Sequence, residues 1–439
     1  MNKNKQPALA LLPLATFLII FLGTGFYLHY IKEVEFAFYQ LPAPVAAFMG
    51  LIVGIIVLKG SLNEKVDIIV RGIGNSNIII MCLVFLLAGA FAATADAMGG
   101  VESTVNLGVS IIPSSLLLPG IFVISSFIAT AMGTSMGTIG AMAPIAIGIA
   151  DKTGIGLAIA VGAVVGGAMF GDNLSMISDT TIAATRTQGA DMKDKFRANF
   201  FIALPAALLT IILLTFFSDA GVITGEYPYQ LIKVIPYFLV LVLALLGLNV
   251  FAVLTIGIFS AGIIGLISGD FGLLELTQTI YAGFTSMQEI FLLSFLTGGL
   301  VELTREYGGL DYLLTSISSR IRTKKGAELG IAGLVSLADI ATANNTVAIV
   351  LSGPIAKDIA EKHGVEPKRS ASIIDIFSCV WQGIIPYGAQ ILLAGSLANL
   401  SPFAIIPTLW YQFTLAFFAI LAILIGFPRS SSTKQAPSL

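Results

Sequence analysis

The chain has 439 residues, of which 23 are Lys or Arg and 25 Asp or Glu, so 11% is charged, 56% is apolar and the mean hydropathy is +0.94. Soluble globular chains are about a quarter charged, which excludes a soluble protein. A net charge of -2 with no basic block excludes a nucleic-acid partner. The composition describes an all-α polytopic membrane protein whose partner is the lipid bilayer, and its 45 Gly suit helices that pack closely or break.

In chain order, Lys3 and Lys5 precede an apolar stretch at 8–28 that is longer than a signal-peptide core and has no small-residue cleavage site after it. It reads as a first transmembrane helix. Further spans are predicted at 43–58, 76–95, 198–217, 231–247, 250–268, 287–303 and 403–427. Stretches 116–150 and 326–360 would make straight helices of about 52 Å at 1.5 Å per residue, against a hydrocarbon core of about 30 Å. Each carries a polar knot, GTSMGT at 133–138 and ANNT at 343–346, so both read as re-entrant hairpins. Stretches 154–187 and 370–396 are interrupted at FGDNLSMISDT and QGIIPYG and read as single crossings by discontinuous helices. Non-helical backbone at membrane depth is tolerated only against protein or water, so the breaks mark a polar cavity. The tail 429–439 reads as disordered and cytoplasmic.

Ten crossings and two hairpins, with the N-terminus in the cytoplasm, place twenty of the 23 basic residues on the cytoplasmic side and leave Lys32, Lys152 and Lys233 outside. Both termini are then cytoplasmic, and the expected location is the cytoplasmic membrane of a prokaryote. Cys82 and Cys379 read as buried thiols, and His29 and His363 as loop residues.

The two halves share one design. IADKTGIG at 149–156 matches IAEKHGVE at 359–366, and APIA at 143–146 matches GPIA at 353–356, both at an offset of 210. This divides the chain into a first repeat, 1–220, and a second, 221–428. Five crossings per half, an odd number, make the repeats inverted, the architecture of secondary transporters.

Chemistry is expected in the breaks, because an intramembrane acid is costly and marks function by default. Asp172, Asn173, Ser175, Ser178, Asp179 and Thr180 combine carboxylate, amide, hydroxyl and freed carbonyl oxygens, the donor set of a hard cation such as sodium. A carboxylate there can take either a sodium ion, bound at Asp172 and Asp179, or a proton. SDTT is also good N-cap sequence, so capping is the alternative role of Asp179. Asp339, one turn before the second tip, is a further candidate cation ligand. The hairpin tips (Thr134, Ser135 and Thr138; Asn344, Asn345 and Thr346) would complete a substrate cavity with Gln382 from the second break, and their returning arms offer helix N-termini to a carboxylate. Asp375 and Arg186 read as interfacial. Gln382 and Gln390 stand near the positions that Asp172 and Asp179 hold in the first half, so the ion site is asymmetric, with no Lys or Arg at membrane depth.

No HExxH, GxSxG or Walker pattern falls in a plausible context, so the chain reads as no enzyme and without ATP-driven energy; no cofactor is expected beyond transported or coupling Na+ and H+. The segment FGDNLSMISDTTIAATRTQGADMKDKF resembles the signature of the NhaC-type sodium/proton antiporter family, with Asp172, Ser175, Ser178, Asp179 and Thr180 matching its motif. That family's pattern has a Pro where this chain has Met176 and commonly a Lys where it has Asn173. The resemblance implies paired hairpins and broken helices, and exchange of sodium for protons, with some relatives moving organic acids or amino acids. Two carriers therefore stay open: a sodium/proton antiporter, and a sodium- or proton-coupled carrier of an amino acid or small organic acid. A passive channel is disfavoured, since no ring of like pore-lining groups is visible. A homodimer is left open.

Overall fold

The computed structural model describes residues 6–32, 34, 40–176, 178–218, 228–246, 248–312 and 321–427. The tail 429–439 lies outside the described residues. Among them all regular structure is helical. The first half contains α1 (Leu12–Tyr30), α2 (Ala43–Val57), α3 (Leu62–Ile73), α4 (Ser76–Ala97), α5 (Gly100–Ile111), α6 (Leu117–Met132), α7 (Ser135–Thr153), α8 (Leu157–Leu174), α9 (Asp179–Gln188) and α10 (Met192–Phe216). The second contains α11 (Leu231–Leu245), α12 (Val250–Ser268), α13 (Leu273–Ser286), α14 (Gln288–Glu306), α15 (Lys324–Thr342), α16 (Asn345–His363), α17 (Pro367–Gln382), α18 (Ala389–Ala398) and α19 (Trp410–Ile425).

Every predicted span contains a helix, although in 403–427 the long helix starts only at Trp410, after a short one at Pro402–Ile405, and all four interruptions are real breaks. The knots are shorter than the sequence suggests: only Gly133-Thr134 and Ala343-Asn344 leave the helical path, and Ser135, Thr138, Asn345 and Thr346 already belong to the returning arms. His29 and His363 sit in the last turns of α1 and α16 rather than in loops. Among the described residues, by length and composition, five helices could cross a membrane, or seven if two bent pairs each count as one span. The predicted ten includes Ala43–Val57, Leu231–Leu243 and Trp410–Ile425, which are apolar but short.

Helices α3, α5 and α13 lie outside the predicted spans. In α3 the motif Ser61-Leu-Asn-Glu64 forms a capping box, with Ser61 N–H donating to Glu64 Oε2 at 2.9 Å and Glu64 N–H to Ser61 Oγ at 3.3 Å. Its buried face (Lys65, Ile68, Ile69, Gly72) packs on α14 of the other half, while α13 packs on α4. A Cβ on Gly72 would lie 2.4 Å from Gly298 O, and one on Gly283 would lie 2.5 Å from Gly89 O. The two crossings are thus backbone against backbone, the close approach that small residues permit between membrane helices. They are also reciprocal: each half lays its amphipathic helix on a long helix of the other. The same exchange recurs deeper, where α9 packs on α16 and α7 on α18.

The buried axis of the fold is α8, whose residues 160–169 and 171–174 are all buried. Gly167 and Gly171 let it lie against α6, since a Cβ at Gly171 would fall 2.5 Å from Ser126 O. This contact carries Asp172 and the first break into the centre of the protein. Side chains exposed at Ile56, Phe216, Phe259 and Ile267 leave the outside apolar, as a lipid-facing surface requires.

Candidate functional site

Helix α8 continues through Asp172 and Asn173 to Leu174, so both are helical residues and the chain unwinds only after them. Ser178, not Asp179, caps the next helix, its Oγ accepting from Thr181 N–H at 3.2 Å. The two acids therefore part company. Asp172 is buried and accepts a hydrogen bond from Ser135 Oγ at 2.8 Å. Asp179, the first residue of α9, is exposed and lines a cavity of about 450 Å³.

That cavity gathers most of the predicted substrate residues. Thr134 from the first tip, Asn344, Asn345 and Thr346 from the second, and Gln382 and Gln390 from either side of the second break share its wall with Asp179. Ile80, Val84, Leu248 and Phe251 add apolar surface. Asn344 caps α16, its Oδ1 accepting from Val347 N–H at 3.0 Å, whereas Thr134 gives α7 no side-chain cap. Thr138 lies off the cavity and donates back to Thr134 O at 3.1 Å.

A hydrogen-bonded line runs from the cavity to the buried acid. Gln382 Nε2 donates to Ala343 O at 3.2 Å and to Gln390 Oε1 at 2.7 Å. Gln390 Nε2 donates to Ser135 Oγ at 3.1 Å, and Ser135 in turn donates to Asp172. One chain of side chains thus touches both hairpin tips and both helix breaks.

Behind Asp172 is a cluster that the sequence reading missed. Lys195 Nζ, near the start of α10, lies 2.7 Å from Asp375 Oδ2, and the two side chains are 1% and 0% exposed. The same ammonium donates to Asn173 O at 2.9 Å and to Thr181 Oγ1 at 2.7 Å. Asp375 Oδ2 also accepts from Asn173 Nδ2 and Asn199 Nδ2, each at 2.8 Å, and Thr180 hydrogen-bonds to the same carboxylate. Thr181 Oγ1 donates to Ser175 O at 2.6 Å, and Ser178 Oγ to Asp172 O at 3.1 Å, so the unwound backbone is tied into the cluster.

Two readings are corrected here. Asp375 is not interfacial but the anionic centre of the fold, and Lys195, counted among the cytoplasmic charges, is a buried cation beside it. A buried acid needs a partner, and α10 supplies one by turning Lys195 and Asn199, four residues apart, to the same side. Asp339 joins neither centre. It is fully buried at the end of α15, where its carboxylate faces the backbone of Gln382 without an aligned hydrogen bond to either oxygen. Arg186 is exposed. Among the described residues no group of three or more His, Cys, Asp or Glu converges as a metal site.

The sequence model described as the Na+/H+ antiporter family matches residues 7–218 and 222–428. Among individual relatives, a malate-2H(+)/Na(+)-lactate antiporter of Bacillus subtilis is 25% identical, over 89% of this chain and 90% of its own. The Na(+)/H(+) antiporter NhaC of the same organism is 27% identical, over 82% and 86%. The arginine/ornithine antiporter ArcD of Halobacterium salinarum is 22% identical, over 97% and 93%.

Proposed function

Because the chain belongs to the Na+/H+ antiporter family, and is therefore a multi-pass membrane protein and a secondary antiporter rather than an enzyme, we propose that it exchanges Na+ for H+ by alternating access, with Asp172 as the exchanging carboxylate. The observation that carries this reading is the unequal treatment of two buried acids. Asp375 is matched by the Lys195 ammonium, whereas Asp172 is held by a single hydroxyl beside an unwound backbone. If both acids are ionised, the three charges leave one negative charge over, which one sodium ion or one proton compensates. Asn173, Ser175, Ser178 and Thr180 surround that charge with further oxygens, and Asp179 at the cavity wall draws cations toward it.

The alternation follows from the reciprocal packing. Two halves that exchange equivalent helices can rock against each other about a fixed site, and the odd number of crossings proposed for each half makes them inverted, with both termini on the cytoplasmic side of a prokaryotic cytoplasmic membrane. The matched segments 7–218 and 222–428 support the same division of the chain.

A second reading, cation-coupled transport of a small organic molecule, is favoured by one observation: the cavity between the hairpin tips is far larger than a sodium ion. Everted vesicles given a sodium pulse test the first reading. The expected outcome is a sodium-dependent pH change that Asp172→Asn abolishes and Asp179→Asn weakens. Full exchange by the Asp172→Asn protein would remove Asp172 from the mechanism.

A further inference from the structure

A carboxylate alone can exchange Na+ for H+, so the buried ammonium near Asp172 needs a reason of its own. Lys195 Nζ lies 2.7 Å from Asp375 Oδ2, 2.9 Å from Asn173 O and 2.7 Å from Thr181 Oγ1, and its side chain is 1% exposed. An ammonium carries three N–H donors, which these three oxygens match. They are a carboxylate, a backbone carbonyl and a hydroxyl, the oxygen types that a hard cation takes. Lys195 is thus a monovalent cation built into the chain. Its tether holds it beside Asp375 at an effective concentration that a free ion does not reach, so the charge of Asp375 is cancelled in place.

Asp172 is left as the open charge. The charged groups acting on it are Asp375, Lys195 and Asp179, and its hydrogen bond comes from the neutral Ser135 hydroxyl. Asp179 is exposed, so water and salt screen its charge. Cys379 and Tyr411, which also lie within the field of Asp375, are a thiol and a phenol and add no charge. With both acids ionised, two carboxylates and one ammonium sum to a buried charge of −1. An uncompensated charge is costly in such surroundings, so this sum selects by valence. One monovalent cation cancels it. A divalent cation would leave +1 buried, whereas without the ammonium the sum would be −2, which a divalent cation matches.

We propose that Lys195 sets the valence of the transported cation: by neutralising Asp375, it restricts the site at Asp172 to a single monovalent ion. Lys195 acts through the charge balance and is a positioning residue, not a ligand. The proposal rests on the reading of Asp172 as the exchanging carboxylate and deepens it.

The full-length protein in detergent tests it, with melting temperature as the binding signal and sodium chloride, calcium chloride and choline chloride compared at constant ionic strength. The wild type is expected to respond to sodium and not to calcium. Asp375→Asn keeps a side-chain oxygen for its donors but brings the sum to zero, because Lys195 then cancels Asp172; sodium binding should weaken about tenfold or more. Adding Lys195→Met to Asp375→Asn restores −1 and should restore the sodium response, although Asp375 is still missing. Lys195→Met alone gives −2 and should add a response to calcium, which no loss of packing produces. A double variant as silent toward sodium as Asp375→Asn would make Asp375 an ion ligand and overturn the proposal. A folded Lys195→Met protein that keeps the wild-type preference would do the same. If Lys195→Met does not fold, Asp375→Asn and the double variant decide the matter. Sodium-driven pH change in proteoliposomes separates the two readings. A wild type without that signal removes the role of Asp172 and this proposal with it, whereas an exchanging wild type with a silent double variant removes this proposal alone.

Discussion

The two helix breaks have the same frame and opposite chemistry. Both interrupt a buried helix before a second arm of ten residues, Asp179–Gln188 in the first half and Ala389–Ala398 in the second. At the offset of 210, Gln382 stands where the first half has Asp172, and Gln390 where it has Thr180. The first break is surrounded by Asp172, Asp375 and Lys195; the second has two glutamines that hydrogen-bond each other, with one acid, Asp339, against the Gln382 backbone and, among the described residues, no cation beside it. Symmetry of the backbone suits the alternating access proposed above. Asymmetry of the side chains places the buried ion pair at one break and a pair of neutral amides at the other. The comparison can be broken by making the ionic break tolerant of mutation, or the neutral one intolerant.

The largest effect is expected from splitting the buried pair. Lys195→Met leaves Asp375 as an uncompensated buried charge and should cost about 3–5 kcal/mol; Asp375→Asn breaks the same contact but leaves Lys195 with the Asp172 carboxylate as neighbour, and should cost less. The double variant, Lys195→Met with Asp375→Asn, removes both charges and should recover most of that loss. Reversible unfolding of all four proteins in detergent gives the coupling energy. Simple additivity of the two losses would mean that the ion pair does not hold the first break.

At the neutral break the same logic gives a smaller number. Gln382→Leu leaves Ala343 O and Gln390 Oε1 without their donor, a loss of about 1–3 kcal/mol. Gln390→Leu should cost a similar amount and also free Ser135 from its donor, so that sodium-driven exchange falls more than stability does. If either substitution matches the Lys195 single variant in cost, the division between ionic and neutral breaks fails.

How much of this was legible in the sequence depends on the range of the forces involved. Spans and breaks follow from local apolar content and from the length a bilayer allows, so the apolar helices and all four interruptions are legible in the sequence. The amphipathic α3 was not, because Glu64, Lys65, Asp67 and Arg71 resemble loop charge, although the Ser61–Glu64 capping signature was there to be read. Lys195 was hidden in the same way among Lys193, Asp194 and Arg197. What separates it from them is that Lys195, Asn199 and Ile202 lie on one face, a stripe too short to stand out without its partner. That partner, Asp375, lies 180 residues away, and no local pattern pairs them. Asp172 was legible because an acid at a helix break is rare in apolar sequence; that Ser135 reaches it, and that Gln390 reaches Ser135 from the other half, was not, since both contacts are remote in sequence.

The smallest effect sharpens the comparison at the hairpin tips. Both turn through the left-handed region, but the first does so at Gly133, with φ 69°, and the second at Ala343, with φ 51°. Glycine adopts that conformation without penalty, whereas an L-residue with a Cβ loses about 1–2 kcal/mol there. Ala343→Gly should therefore stabilise the protein, by about 1 kcal/mol once the extra freedom of glycine in the unfolded chain is deducted, and Gly133→Ala should destabilise it by a similar amount. The methyl group of Ala343 is retained at a position where its carbonyl receives Gln382, and strain of this size persists where the surroundings hold it in place. Measured together, unfolding and sodium-driven exchange separate the two possible uses of that strain. If Ala343→Gly raises stability and leaves exchange unchanged, the second tip is a passive turn. If it raises stability and slows exchange, the strained alanine helps to set the conformational equilibrium of the second tip, and the two tips differ in function as the two breaks do.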